Sequence, residues 1–264
     1  MSAYGEFTAT AVAIAREAGA ILRDGLGGPR QIAYKGTVDL VTEMDKRSEA
    51  VIVGAITTRF PDHRIVAEEG SGPREGDSPY RWLIDPLDGT TNYAHGLPHF
   101  AVSIALQEGD ETIVGVVYDP MRDELFRAER GGGAFLNDRP IRVSAVDELI
   151  RSLLTTGFPY NADLRPVALA HFHAFSFASQ AIRRYGAAAL DLCFVACGRF
   201  DGFYEAHLGP WDAAAGALIV AEAGGTITDY DNGPFDPFRG VIVATNGLIH
   251  GAILRTLAES VDSR

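Results

Sequence analysis

One short segment in the first third of the chain constrains the protein more than any other. An apolar run at residues 80–84 leads directly into the sequence DPLDGTT at residues 85–91. We expect a strand followed by a turn that holds Asp85 and Asp88 close enough to share a cation, since oxygen-rich turns suit hard cations such as Mg²⁺. Gly89 has no Cβ, so a ligand can approach the backbone there. An acidic surface turn without a ligand is the alternative that this segment alone leaves open.

The composition argues against several classes of function. The chain has 264 residues, of which 47% are hydrophobic and 22% are charged, with a formal net charge of −12. An acidic protein is a poor partner for nucleic acid, because phosphate backbones attract basic surfaces. No apolar run approaches the roughly 20 residues that span a bilayer, and residues 1–10 lack the basic and apolar regions of a secretory signal. We therefore expect a cytoplasmic protein with no membrane partner.

The order of the predicted elements changes near residue 150. Helical patterns at 7–22 and 42–60 precede a series of strands that predicts an antiparallel meander, whereas strands and helices alternate later, which favours an α/β layer with partly parallel strands. We expect two tightly packed parts, an α+β part at 1–148 with an antiparallel sheet and an α/β part at 149–264 with a mixed sheet. The predicted strands are 65–67, 80–84, 101–107, 113–118, 124–128, 134–136, 141–143, 153–156, 181–185, 200–204 and 241–245, and the later predicted helices are 163–180, 187–197, 210–223 and 248–260.

Three further acidic clusters accompany the central segment. They are residues 39–45, the pair Glu68-Glu69 after an apolar run, and residues 211–216. In this order and at these separations, the four motifs resemble the inositol monophosphatase family of Mg²⁺-dependent, lithium-sensitive sugar and polyol phosphatases. The resemblance extends from about residue 39 to residue 225. It implies an α/β fold, a layered αβαβα sandwich like those of inositol monophosphatase and fructose-1,6-bisphosphatase, with the active site between the two parts.

The resemblance implies two to three Mg²⁺ ions in each active site. Glu68, Asp85 and the backbone carbonyl of Leu87 are the expected ligands of the first ion, and Asp85, Asp88 and Asp212 are those of the second. A third, weaker ion is expected near Glu68. Two like charges about 4 Å apart repel by roughly 4 kcal/mol at an effective dielectric constant near 20, so bound cations would stabilise such a cluster. From its position alone, Asp212 would be better explained as an acid that stabilises the first turn of a helix.

The resemblance also implies catalytic roles. A water molecule is the expected nucleophile, oriented and deprotonated by Thr90 and Asp45, with Glu68 as the third catalytic residue. The amides of Gly89 and Thr90, at the start of a short helix, are expected to bind phosphate. Asp45 is in addition the expected N3 member of a capping box with Thr42, and the two roles are compatible.

The substrate contacts implied by the resemblance lie mainly in the second part of the chain. The expected substrate-binding residues are Asp88, Gly89, Thr90, Gly186, Ala187, Ala188, Glu205 and Asp212. The carboxylate of Glu205 would accept hydrogen bonds from ring hydroxyls. Family members often have Ser or Thr where this chain has Ala187, and the missing hydroxyl weakens the case for inositol as the preferred sugar.

Other polar residues are expected to have supporting roles. We expect Asp39 to support the site from a strand end and Lys35 to be a surface lysine. Residues 229–233 superficially resemble a calcium loop, but Gly240 stands where the last acid of that loop is required. Four histidines have no partner at metal-binding spacing and are expected on the surface or in loops, namely His95, His99, His171 and His173.

Together these motifs predict a Mg²⁺-dependent phosphoric monoester hydrolase that acts on a small polyol or sugar phosphate. Inositol 1-phosphate, hydrolysed to myo-inositol and phosphate, is the first choice. Fructose 1,6-bisphosphate, histidinol phosphate and 3′-phosphoadenosine 5′-phosphate are alternatives on the same fold. A non-catalytic binding or regulatory protein that retains the fold is the alternative of another class. The family is commonly dimeric, so a homodimer is expected.

Overall fold

The computed structural model describes residues 4–28, 32–34, 40–70 and 76–262. Lys35, expected to be a surface lysine, and Asp39, expected to support the site from a strand end, lie outside these ranges. The described residues form seven α-helices: α1 Gly5–Gly25, α2 Glu43–Arg59, α3 Thr90–Ala94, α4 Arg165–Ala178, α5 Ala188–Ala196, α6 Pro210–Glu222 and α7 His250–Asp262. None of the described helices has the length and apolar character needed to cross a membrane.

The described strands form two sheets and one additional antiparallel pair. The pair consists of β1 Ile32–Tyr34 and β2 Leu40–Thr42. The larger sheet contains, in spatial order, β3 Arg64–Ala67, β4 Tyr80–Asp88, β5 Ala101–Glu108, β6 Glu111–Asp119, β7 Glu124–Glu129, β8 Gly133–Leu136 and β9 Arg139–Pro140. The smaller sheet contains β10 Leu153–Thr156, β11 Ala181–Arg183, β12 Gly202–Ala206, β13 Thr226–Thr228 and β14 Val241–Thr245, in the spatial order β11-β10-β12-β14-β13.

Strand direction agrees with the sequence-based expectation except at one edge. In the smaller sheet β10 is parallel to both β11 and β12, while β14 is antiparallel to β12 and β13, so this sheet is mixed as predicted. In the larger sheet every pair from β4 to β9 is antiparallel, but β3 is parallel to β4. The prediction of a purely antiparallel meander is therefore wrong at this edge.

The helices and sheets stack in five layers. Helices α1 and α2 cover one face of the larger sheet, α5 and α6 lie between the two sheets, and α4 and α7 cover the outer face of the smaller sheet. Strands β4, β5 and β6 are buried along nearly their whole length because both of their faces are covered. The predicted αβαβα sandwich is confirmed.

The central helices pack closely because their surfaces are made of small residues. Helix α6 contains the run Ala213 to Gly216, and α5 and α6 are buried on nearly all sides. The core between the sheets contains Leu83 and Phe126 from the first part of the chain together with Leu190 and Phe203 from the second. The two parts thus share one core, and the proposed division at residue 148 stays a prediction.

Several predicted element ends differ from the structure. Residues 141–143 form no strand, and the backbone amides of Ile141 and Val143 donate to the carbonyls of Ala134 and Ala223 respectively. Their apolar pattern reflects packing against the core between the sheets. The strand predicted to reach residue 185 ends at residue 183. Strands β1, β2 and β13 were not predicted because three residues are too few for a periodic signal.

We predict that Gly115→Ala destabilises the protein by about 1–3 kcal/mol, because overpacking a buried contact forces a backbone shift. A Cβ at position 115 of β6 would lie 2.6 Å from the carbonyl oxygen of Ala215 in α6. The matched control is Gly54→Ala on α2, where a Cβ meets nothing within 4 Å, and which should stabilise the helix by about 0.5–1 kcal/mol. Chemical denaturation measures both, and equal effects would contradict the close packing of α6 on β6.

Candidate active site

The central acidic segment is the end of strand β4, and the prediction that it forms a free turn is wrong. The register of β4 against β5 shifts between Asp85, which pairs with Ser103, and Asp88, which pairs with Ala101. One additional residue on β4 thus forms a β-bulge between Asp85 and Asp88, in a segment where Pro86 has no amide to donate to the ladder. In a regular strand, residues three apart point to opposite faces. The additional residue brings both aspartates to the same side, and both line one cavity.

The start of helix α2 holds Asp45 against the bulge. The backbone N–H of Thr42 donates to Asp45 Oδ2 at 2.8 Å, and the amide of Met44 donates to the Thr42 hydroxyl at 3.1 Å. The predicted capping box is therefore confirmed. The hydroxyl of Thr90 lies 3.1 Å from Asp45 Oδ1 and 3.0 Å from the carbonyl oxygen of Leu87, so it can donate to either. Burial raises the pKa of the Asp45 carboxyl, while its bonds from Thr42 and Thr90 oppose that shift.

Gly89 connects the bulge to helix α3 in a conformation that favours glycine. Its φ is +94°, in the left-handed region. A Cβ at this position would lie 3.0 Å from the carbonyl oxygen of His99 and 3.3 Å from Phe100. A side chain here would therefore be strained in two ways, and the glycine keeps the backbone of residues 89 and 90 on the cavity wall.

Asp88 joins the first part of the chain to helix α5. Its Oδ1 accepts the amide of Ala188 at 3.2 Å and its Oδ2 accepts that of Ala189 at 2.8 Å. Ala187, the N-cap residue of α5, has no side chain that could accept a hydrogen bond. Asp88 therefore supplies, from a distant strand, the cap that α5 lacks in its own sequence. This contact was not predicted, because it joins residues that are far apart along the chain.

Glu68 and Asp212 reach the same cavity from two other elements. Glu68 follows β3, and its amide donates to the carbonyl of Ile84 at 3.1 Å, which continues the parallel pairing beside β4. Asp212 is the N3 residue of α6, and its Oδ2 accepts the amide of Gly209 at 2.7 Å. Trp211, next to it, is fixed to β5 by the hydroxyl of Ser103, which donates to its carbonyl at 3.1 Å.

These residues surround a cavity of about 230 Å³ at the junction of the two sheets. The predicted site residues that line it are Glu68, Asp85, Leu87, Asp88, Gly89, Thr90, Gly186, Ala187, Ala188, Glu205 and Asp212. Asp45 is fully buried and does not line the cavity, but it contacts the cavity through the hydroxyl of Thr90. The structure thus brings together side chains that are widely separated in the sequence.

Burial and mutual repulsion raise the pKa values of two aspartates in the cavity. Asp85 is 1% exposed, and burial followed by the charges of Glu68, Asp88 and Asp212 raises its pKa well above the usual range, against the opposing bond from the Leu87 amide. Burial also raises the pKa of Asp88 to about 7, with Glu68 adding to the shift and the amides of α5 opposing it.

The donor set fits a hard divalent cation. Carboxylates and a backbone carbonyl are the oxygen ligands that Mg²⁺ and Ca²⁺ accept, and a cation would relieve the repulsion that raises the pKa of Asp85. Carboxylate oxygens of Asp85, Asp88 and Asp212 accept backbone amides. No three His, Cys, Asp or Glu side chains among the described residues are arranged so that they could hold an ion as they stand. The ligand set therefore stays a prediction.

The opposite wall of the cavity includes residues that sequence reasoning missed. Gly157 follows β10 and contacts the carboxylate of Glu205 on the parallel strand β12, where a Cβ at position 157 would collide with it. Burial raises the pKa of Glu205 to about 8, Arg184 opposes the shift, and Asp212 adds to it. Ligands commonly bind in a crevice at the carboxyl ends of neighbouring parallel strands. The predicted strands 153–156 and 200–204 could therefore have indicated that Gly157 lies at the site beside Glu205.

The histidine prediction of surface or loop positions is right for three of the four residues. His95 and His173 are exposed as expected, and His99 lies in the loop between α3 and β5, although it is buried. His171 is buried on α4, which contradicts the prediction. The ring of His99 packs between Tyr185 and Phe194, and burial, together with the charge of Arg122, lowers its pKa to about 4. The partners of His99 come from the second part of the chain, which explains why the local sequence did not predict its burial.

Comparisons with known proteins agree with this geometry. The model of the inositol monophosphatase family matches residues 4–262. The chain is 49% identical over 234 residues to the inositol-1-monophosphatase of Synechocystis sp., covering 88% of this chain and 82% of that protein. It is 46% identical over 255 residues to Nus factor SuhB of Escherichia coli, covering 95% of both chains. The solved structure of inositol monophosphatase from Anabaena (Nostoc) sp. has a TM-score of 0.89 and 45% identity, with 98% of this chain and 97% of that chain covered.

The match spans all of the described residues, so it includes every element that contributes to the cavity. Proteins of this family are phosphatases and are generally metal-dependent. On the family model, the sequence identities and the shared fold, the chain belongs to the inositol monophosphatase family.

Proposed function

We propose that this protein is a Mg²⁺-dependent phosphomonoesterase that hydrolyses a small polyol or sugar phosphate, with inositol 1-phosphate as the first candidate. One observation carries the proposal: Glu68, Asp85, Asp88 and Asp212 line a single cavity although they come from three separate places in the fold, the end of β3, strand β4 and helix α6. Four acids in one cavity are costly without cations. Cations among them would in turn attract a phosphate group into an otherwise acidic protein.

The proposed metal ligands are these four acids and the carbonyl of Leu87. Two to three Mg²⁺ ions held there would neutralise charge on the phosphoryl oxygens and lower the pKa of a water molecule. The two backbone amides that Asp88 accepts from α5 and the one that Asp212 accepts from Gly209 fix the directions of these carboxylates.

Asp45 and Thr90 are proposed to handle the proton of the attacking water. When the Thr90 hydroxyl donates to Asp45 Oδ1, its oxygen can still accept a hydrogen bond from a water molecule in the cavity. Asp45 has a raised pKa, so it can take up a proton more readily than a solvated carboxylate. Water attacks phosphorus in line and passes a proton through Thr90 to Asp45, while a new P–O bond forms and the ester P–O bond breaks. The leaving alkoxide then takes up the proton that Asp45 returns through solvent. No covalent phosphoenzyme is required.

The polyol is proposed to bind between Gly186, Ala187, Ala188 and Glu205, while Gly89, Thr90, Asp88 and Asp212 contact the phosphoryl end. Glu205 would accept hydrogen bonds from ring hydroxyls. Ala187 offers no hydroxyl of its own. Fructose 1,6-bisphosphate, histidinol phosphate and 3′-phosphoadenosine 5′-phosphate are therefore retained as alternative substrates.

A regulatory role is the second candidate. Relatives from Pasteurella multocida, Vibrio cholerae and Escherichia coli, 43–46% identical to this chain, carry the name Nus factor SuhB. A Nus-factor role would not require turnover. Phosphate release by the wild type, and its dependence on the acids of the cavity, separates the two candidates.

The family resemblance also leads us to propose a homodimer, inhibition by lithium and a cytoplasmic location. One relative, phosphatase IMPL1 of Arabidopsis thaliana, is named as chloroplastic, so location varies among relatives. Gel filtration with light scattering would test the dimer, and a lithium titration of phosphate release would test the inhibition.

We predict that Glu68→Gln lowers kcat for inositol 1-phosphate by at least about 100-fold, because losing one proposed ligand charge removes several kcal/mol of transition-state stabilisation. Glu69→Gln is the matched control. Glu69 is the next residue but does not line the cavity, so this variant should retain activity. The measurement is inorganic phosphate release with and without Mg²⁺. Equal rates for the two variants would contradict the assignment of Glu68. No release by the wild type from any phosphate monoester in a broad panel would favour the second candidate.

For Thr90 we predict a loss of kcat of about 10²–10⁴-fold in Thr90→Val, which keeps the shape but removes the hydroxyl that relays the proton. Thr90→Ser keeps the hydroxyl and should retain most of the activity. Calorimetry with Mg²⁺ should give similar affinities for both variants. If Thr90→Val turned over as fast as Thr90→Ser, Asp45 and Thr90 would not form the proposed relay.

A third prediction concerns pH and metal removal. Carboxyl groups whose pKa is raised by folding favour the folded state less as pH rises. We therefore expect the metal-free protein to lose stability from about pH 4, the ordinary range for carboxyl groups, up to about 7 for Asp88 and about 8 for Glu205. Thermal denaturation in a chelator should show Tm falling over this range. Added Mg²⁺ should reduce the fall, and Glu205→Gln should make it shallower. A Tm that is flat between pH 5 and pH 8 in the chelator would refute the expectation.

A further inference from the structure

His207 has a backbone conformation that favours glycine, and it lies in the wall of the active-site cavity. Its φ is +69°, in the left-handed region that a residue with a Cβ rarely adopts. None of the other non-glycine residues with positive φ in the described ranges lines this cavity, whereas His207 does. Those other residues are all Asp or Asn, which tolerate the conformation, namely Asp123, Asn137, Asp138 and Asn232.

The residues on either side of His207 impose this conformation. Strand β12 ends with Ala206, which pairs with Val241 of β14. In an unbroken antiparallel ladder His207 would then face Gly240, but the Gly240 carbonyl accepts the amide of Leu208 instead, at 3.1 Å. One additional residue is thus accommodated at His207, as in a β-bulge whose first residue has positive φ. The backbone at position 207 is therefore set by its neighbours and not by the imidazole ring.

The rest of the loop between β12 and α6 is fixed as well. A Cβ at Gly240 would collide with the carbonyl oxygen of Leu208, so the loop packs tightly on the segment before β14. The amide of Gly209 donates to Asp212 Oδ2 at 2.7 Å, which joins the loop to the first turn of α6. Glycine at position 207 would fit this backbone without strain. A histidine there costs backbone strain, and strained residues of this kind are concentrated at functional sites.

The imidazole ring of His207 is available to a ligand. The residue is exposed, and its ring forms no hydrogen bond, ion pair or ring contact with any other residue that the structure describes. A neutral imidazole has one donor and one acceptor, and a protonated imidazole has two donors. Both forms can bind a hydroxyl group, which is itself a donor and an acceptor.

The position of His207 indicates which part of a substrate its ring would meet. The residue follows β12, whose Glu205 is proposed to bind the polyol, and it precedes α6, whose Asp212 is a proposed metal ligand. Both acids line the same cavity as His207. His207 and Glu205 also line a smaller adjoining cavity of about 40 Å³, so the two residues share one wall. The ring is therefore on the side of the cavity that is proposed to bind the leaving alcohol.

We infer that His207 is a specificity-determining residue and that its imidazole binds a hydroxyl group of the leaving polyol. This inference rests on the proposed phosphatase function and adds a residue to the recognition side of the same site. His207 thereby favours leaving groups that carry further hydroxyls over those that carry none. The ring takes no part in the transfer of the phosphoryl group.

The test measures phosphate release from two substrates by wild type, His207→Gly and His207→Ala. One substrate is a polyol phosphate that the wild type hydrolyses, inositol 1-phosphate first, and the other is p-nitrophenyl phosphate, whose leaving group has no further hydroxyl. We expect both variants to raise KM for the polyol phosphate about three- to tenfold, the factor that one hydrogen bond is worth. The values of kcat, and KM for p-nitrophenyl phosphate, should be unchanged. The Tm of His207→Gly should be at least that of the wild type, because glycine relieves the backbone strain.

Asn232→Gly is the matched control, because Asn232 also has a positive φ, of +63°, but lines neither cavity. Its KM values should equal those of the wild type.

Three results would overturn the inference while leaving the proposed function intact. An equal rise in KM for both substrates would place the ring on the phosphoryl group that they share. A rise in His207→Gly alone would assign the effect to loop flexibility, since His207→Ala also removes the ring. Unchanged KM values in both variants would show that the ring contacts no substrate. If the wild type releases phosphate from no monoester in a broad panel, the proposed function itself fails, and this inference fails with it.

Discussion

The structure depends on the burial of two like charges, Asp85 and Asp88, at the bulged end of strand β4. Each carboxylate accepts backbone amides, from Leu87 in one case and from Ala188 and Ala189 in the other. These bonds offset part of the desolvation cost, but burial, with repulsion from neighbouring acids added to it, keeps the pKa of both groups raised. The part of the desolvation and repulsion that these bonds do not offset is the reason that the site favours cations. The elements packed around the end of β4 supply either the acids or the amides that bind them.

Three helix N-termini share the task of holding the acids. Asp45 is the N3 residue of α2, Asp212 is the N3 residue of α6, and Asp88 accepts the first amides of α5. An N-terminus presents unsatisfied amides and the positive end of the helix dipole, so an acid is stabilised there. The fold can thus bring several carboxylates together without pairing each with a lysine or arginine. The layered arrangement matters to function chiefly because it points these helix ends at one strand.

Features that depend on neighbouring residues could be predicted from the sequence. The capping box of Thr42 and Asp45 involves only four consecutive residues, so the local sequence predicts it. The apolar run before Asp85 likewise predicts a buried strand. Features that depend on distant partners could not. The bulge exists only in relation to β5, the Asp88 cap requires α5 to be docked, and the burial of His99 requires Tyr185 and Phe194 from the other part of the chain. The convergence of the acids was accessible only through the resemblance of four motifs to one family, because spacing along a chain does not determine distance in space.

The double role of Asp88 has a consequence for recognition. Its carboxylate lines the cavity and also holds the first turn of α5, whose preceding residues Gly186 and Ala187 form the wall proposed to face the polyol. Asn92 adds a second attachment, because its amide donates to the carbonyl of Tyr185 at 2.8 Å. The wall that would recognise the substrate is therefore positioned by residues on or next to the acidic segment. We expect a change in the charge or direction of Asp88 to act at the same time on the proposed metal site and on the wall proposed to face the polyol, so one side chain would couple phosphoryl chemistry to substrate choice.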